Sequence, residues 1–110
     1  MRLHALALVA AMLALAAPIE AAEIQRLSVG KTNIFCVKAH CPWRGIAPAD
    51  ADRHGLADLL WSRQQLPPLI ARADDADAIR TAWDADGCLL VDGALIDSQL
   101  RIDAIVGECP

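Results

Sequence analysis

Serine is scarce in this sequence, occurring only as Ser28, Ser62 and Ser98, and none sits in a Gly-x-Ser-x-Gly setting. Histidine is equally rare, with His4, His40 and His54 alone. His4 lies in a segment read below as a cleaved leader, so an acyl-transfer triad is hard to assemble from what remains. No glycine-rich phosphate loop occurs. Basic residues never form a run: 10 Lys and Arg face 14 Asp and Glu, for a net charge of −4. A mildly acidic chain without a basic stripe has no electrostatic footprint for nucleic-acid phosphates or for anionic lipid. These scarcities point to a non-catalytic protein without a cofactor.

The N-terminus has a recognisable layout. A short basic end (Met1, Arg2) precedes an uncharged apolar run from Ala5 to Ala17, followed by Pro18-Ile19-Glu20-Ala21-Ala22. This is the pattern of a secretory signal peptide spanning residues 1–21. The run is shorter than the ~20 residues of a spanning helix, and no lipidation cysteine follows it. The protein is therefore expected in the periplasm or secreted, with no membrane span after cleavage. Removal of the leader leaves about 90 residues, enough for one domain; one Arg and one Glu leave with it, so the charge balance is unchanged.

Four cysteines follow, at 36, 41, 88 and 109. An even number in a small exported domain reads as a disulfide framework with three possible pairings. Cys36–Cys41 with Cys88–Cys109 is favoured, because the first pair is close in sequence and the second falls opposite in a hairpin. The second closes a loop of about 22 residues, valued at roughly 3 kcal/mol by the chain-entropy model.

That hairpin spans about 88–107. Two β-rich runs flank the polar turn Asp97-Ser98-Gln99. Folding about Ser98/Gln99, with partner numbers summing to 197, places Val91 opposite Val106, Gly93 opposite Ala104 and Leu95 opposite Ile102 on one face. Arg101 and Asp103 then share the other face with Asp92. A bulge at Gly93 is the feature that would break this register.

Upstream, Ile24–Val29 alternates as a half-buried strand, Gly30–Asn33 turns, and Ile34–Lys38 reads as the return strand. Ala39–Ala49, with Pro42, Gly45 and Pro48, reads as loop, and Asp50–Gly55 as loop or a helical turn. Leu59–Ser62 is read as a strand, and Pro68–Arg72 as a short strand at an edge because of its proline. Asp74–Asp86 is the one clear helix: Asp74 or Asp75 caps it, Ala76, Ile79, Ala82 and Trp83 make its buried stripe, and Gly87 ends it at the C′ position. The fold is thus α+β and β-rich. It is either a small antiparallel sheet carrying the helix or an OB-like partly open barrel, whose helix also lies between the third and fourth strands.

Two constellations could carry function. Cys36, His40 and Cys41 would suit Cu(I) or Zn(II) if reduced, or thiol exchange, although the spacing is not C-x-x-C. The favoured reading is an oxidised staple bracing a loop. Trp43-Arg44 on that loop could form a recognition patch for a protein or small ligand; against this, Trp43 could fold onto the core while Arg44 pairs with a carboxylate, which is the preferred expectation. Trp61 and Trp83 are assigned to the core. The acidic groups Asp50, Asp52, Asp58 and Asp74, Asp75, Asp77 lack the ligand order of a Ca²⁺ loop. A binding or structural module is therefore expected. If the leader reading holds, intact-mass measurement on protein from its native host will show a chain beginning within a residue or two of Ala22; a mass retaining residues 1–21 would overturn it.

Overall fold

A computed structural model describes residues 23–34, 41–50 and 56–110. The leader (1–21), most of the proposed strand Ile34–Lys38, Cys36, His40, Asp52 and His54 lie outside these residues. The described elements are β1 (Gln25–Lys31), β2 (Arg44–Pro48), a single 3-10 turn (Leu56–Asp58), β3 (Leu69–Ile70), α1 (Ala73–Asp84), β4 (Cys88–Ile96) and β5 (Gln99–Glu108). The strands form one sheet in the order β2-β1-β4-β5-β3, curled into a half-barrel. All ladders are antiparallel except β3 on β5, so the sheet is mixed rather than purely antiparallel. The parallel pair arises because α1 leads from β3 into β4, which runs opposite to it, and the hairpin turn then reverses the chain again, so that β5 lies beside β3 in the same direction.

The core is built from alternate positions of the strands. Leu27 and Val29 of β1, Ile46 of β2, Val91 of β4 and Leu100 and Ile102 of β5 are buried on the face that Ile79 and Trp83 of α1 cover. The two helical residues are four apart, which stacks them on one side of the helix. Ala76 is buried beside them and Ala82 is half-buried.

The helix ends differ from expectation. It starts after Arg72 without a side-chain cap; Asp74 accepts only the neighbouring Asp75 N–H. At the other end the left-handed residue is Asp86, with φ 57°, not Gly87. The Gly87 N–H donates to the Ala82 carbonyl at 2.8 Å, which closes the turn in Schellman fashion. Aspartate tolerates the left-handed conformation better than most residues.

Gly30, expected in a turn, continues β1 with φ 133° and lies against the backbone of Gly87 and Cys88. A Cβ there would overlap the Gly87 carbonyl oxygen and sit 2.9 Å from the Cys88 Cα. The next residue, Lys31, donates its N–H to the same carbonyl at 2.9 Å.

The hairpin register is corrected in its outer part. Leu89↔Glu108 and Leu90↔Gly107 keep the sum of 197, but two shifts follow and the last four pairs, from Gly93↔Ile102 to Ile96↔Gln99, sum to 195. The additional residues are on β5, at Val106 and Asp103, as in β-bulges. Val91 therefore faces Ile105 rather than Val106, Gly93 faces Ile102 rather than Ala104, and Leu95 faces Leu100 rather than Ile102. Ile102 and Ile105, three apart, thereby both contribute to the core while Val106 is left exposed. The turn is Asp97-Ser98 alone, with φ 50° and 61°, the positive values that two-residue hairpin turns of the primed type require. Cys88 and Cys109 are disulfide-bonded across the open end, with Cα atoms 5.4 Å apart.

The loop expected over Ala39–Ala49 contains β2, which pairs with β1 from Leu27↔Pro48 to Lys31↔Arg44. Pro48 is tolerated because it ends a strand at the sheet edge, where a missing donor breaks no inner ladder. The strand expected at Leu59–Ser62 is only a bridge from Trp61 to Ile46. Those residues start a connection along the opening of the half-barrel, tied by backbone bonds from Ile46 N to Trp61 O at 3.0 Å and from Leu100 N to Pro68 O at 2.9 Å. Within it, Trp61 Nε1 donates to the Gln65 carbonyl and Trp83 Nε1 to that of Gln64, at 2.8 and 2.7 Å.

Gly30→Ala is expected to lower unfolding free energy by about 3 kcal/mol, since it adds both strain and a backbone collision. Urea denaturation checks this; a loss below about 1 kcal/mol would mean that the joint has room.

Candidate functional site

The site forms where β1 ends, β2 begins and α1 closes. Thr32 fixes the base of the loop leading to Trp43. It is buried, its N–H donates to the Trp43 carbonyl at 2.8 Å, and its Oγ1 donates to the Pro42 carbonyl at 2.6 Å while accepting the Ile34 N–H at 3.2 Å. Trp43 is thus held at the sheet end by backbone bonds. The preferred expectation that its indole covers the core is corrected: 48% of Trp43 is exposed. It precedes β2, whose buried positions are Gly45, Ile46 and Ala47. Trp61 is half-buried against the core, with Arg63 stacked 5.0 Å from its ring centroid, and Trp83 is buried.

Arg44 pairs with a carboxylate, and that carboxylate is Asp86: Arg44 Nη2 lies 3.1 Å from Asp86 Oδ1. The Arg44 Nε is enclosed and has no hydrogen-bond acceptor among the described residues. Across the β1–β2 ladder, Arg44 stands opposite Lys31. Directly opposed residues share one face of a sheet, and two like charges there repel. Lys31, Trp43, Arg44, Gln64 and Asp86 line a cavity of about 470 Å³, within the range of small-molecule sites. A second cavity, of about 540 Å³, lies between the Gln64–Leu69 segment and Arg80, Trp83 and Asp84 of the helix. Gln64 borders both, and its carbonyl is engaged by Trp83.

The other candidates do not assemble. Cys41 is disulfide-bonded, so it offers no thiolate; Cys36 and His40 lie outside the described residues. No group of three His, Cys, Asp or Glu side chains able to hold a metal occurs among the described residues. Asp74 pairs weakly with Arg72 at 3.7 Å, and Asp77 with Arg80 at 3.5 Å one helical turn on. Ser28 is buried and donates to the Ala47 carbonyl at 3.4 Å, so it is a structural hydroxyl. On the sheet, Arg26 contacts Asp92 at 3.0 Å, and the hydrogen bond and charge of Asp92 raise the Arg26 pKa.

Sequence reasoning missed Lys31, Gln64 and Asp86. Lys31 was read as part of a turn and Asp86 as the last residue of a helix. Only the β1–β2 register and the Schellman closure bring them to Arg44. Compared with protein-family models, curated proteins and solved structures, the chain matches none.

Thiol titration of unfolded, unreduced protein should find no free thiol, and elemental analysis no stoichiometric metal, in the parent and in His40→Ala alike. Two titratable thiols with zinc or copper that the variant loses would reinstate the metal site.

Proposed function

We propose that this chain is an exported, non-catalytic binding module whose ligand, a small molecule or a partner protein, is held at the Trp43–Arg44 groove. The observation that carries this reading is the exposed Trp43 indole on the rim of a cavity that also contains Arg44. Tryptophan and arginine are the residue types most enriched where binding energy concentrates, because each presents a large, stiff contact surface. Trp43 is fixed at its backbone by the Thr32 bonds, so little ordering entropy is lost when a ligand covers it. The groove holds no nucleophile beside a general base: its ionisable groups are two cations and a carboxylate, with one of the cations already paired to that carboxylate.

Export rests on the leader pattern and is compatible with two structural facts. A disulfide joins Cys88 and Cys109, and no helix among the described residues is long and apolar enough to cross a membrane. Disulfides persist in oxidising compartments, which suits the periplasm or the exterior.

An NMR-detected screen of a fragment set mixed in charge and polarity tests the reading. Shifts are expected to centre on Lys31, Trp43, Arg44 and Gln64 and to vanish in Trp43→Ala, whose unfolding free energy should change by less than about 1 kcal/mol. Hits that collect elsewhere, or a loss of about 3 kcal/mol or more as for a core indole, would overturn it.

A further inference from the structure

The groove's charge pattern is more specific than its shape. Lys31 and Arg44 are exact cross-strand partners, and like charges in that position repel one another. One carboxylate, Asp86, lines the groove with them; its side chain is 65% exposed and makes one 3.1 Å contact to Arg44 Nη2. Lys31 has no ion pair among the described residues. Among the described residues the Arg44 guanidinium, whose five donors suit a two-point acceptor, is held by one contact while its Nε is enclosed without an acceptor. In a protein of net charge −4, this is a local concentration of unrelieved positive charge.

From this juxtaposition, and resting on the binding reading above, we infer that the groove takes a small monocarboxylate carried on a flat apolar body. The carboxylate bridges Lys31 and the terminal nitrogens of Arg44, which make one contact among the described residues and can take a further acceptor. The apolar body lies on the exposed face of Trp43. Two cations against one protein carboxylate leave a single positive charge to match, so a monoanion is balanced while a dianionic phosphate is not. The cavity of about 470 Å³ admits a one-ring acid whole.

The test compares phenylacetate, its neutral amide phenylacetamide and the cation phenethylamine by NMR titration of the full exported protein. Phenylacetate is expected to shift the Trp43 indole and the Arg44 side-chain signals saturably and to bind at least tenfold more tightly than the amide. Its affinity should fall several-fold when salt is raised and in Lys31→Gln. That variant alters an exposed side chain and removes one of two opposed like charges, so the unfolding midpoint should not fall, and a folding failure will not mask the result. Equal or tighter binding of the amide or the amine at Trp43 would overturn the anion inference and leave the binding module standing. If none of the three moves a groove signal, the monocarboxylate inference is overturned, while the binding reading itself is decided by the fragment screen.

Discussion

At Gly30 three parts of the chain meet with no side chain between them. The backbone of β1 comes so close to Gly87 and Cys88 that any Cβ would collide, and the positive φ is one that glycine adopts without strain. This contact joins β1 to the first residue of β4 at the point where α1 has just been closed by Asp86. Lys31 N then reaches the Gly87 carbonyl, and the Cys109 N–H donates to the Cys88 carbonyl at 3.0 Å beside the disulfide. The helix end, the central strand pair and the open end of the hairpin are therefore tied within a few residues. Every charged group of the groove hangs from this joint: Lys31 follows Gly30, Asp86 precedes Gly87, and Arg44 is placed by its pairing with Lys31.

A half-barrel has two edges to protect, and each is treated differently here. The β2 edge is met by Leu60 and Trp61, both of which donate to the Ile46 carbonyl, and β2 ends in a proline that cannot donate. At the other edge β3 pairs with only Leu100 and Arg101. Beyond it β5 carries its two bulges, which twist an edge away from flat pairing. The segment running from β2 to β3 also supplies the carbonyls that satisfy the Trp61 and Trp83 indoles. Two of the three tryptophans thus serve the closure of the core, and Trp43 alone is left for the surface.

The apolar core is small, as it must be in a chain of this size, and cross-links are one way in which small exported domains offset that. The Cys88–Cys109 disulfide is compatible with an extracellular location and stabilises a domain without a large interior. Disulfide bonding of Cys41 also weighs against the metal reading, since thiolate chemistry and structural cross-linking compete for the same sulfur atoms.

Local pattern was enough to reveal the helix, because Ile79 and Trp83 repeat at its period and acidic residues crowd its start. It was enough to reveal the hairpin and its polar turn, the first strand, and an edge strand beside Pro68, each from alternation or a proline's missing donor. These features depend on neighbours in sequence, and so are written in it. Pairing partners are not. That β2 replaces a loop, that β3 runs parallel to β5, and that two bulges bring Ile105 inward where Val106 was expected all depend on contacts between distant residues. Alternation assigns a face but cannot show where one extra residue will be accommodated. The groove lay beyond reach for the same reason. Trp43 and Arg44 are visible in sequence as a pair, but Lys31, Gln64 and Asp86 join them only through a ladder register, a helix closure and the path of a connecting segment, all decided by how backbones meet in three dimensions.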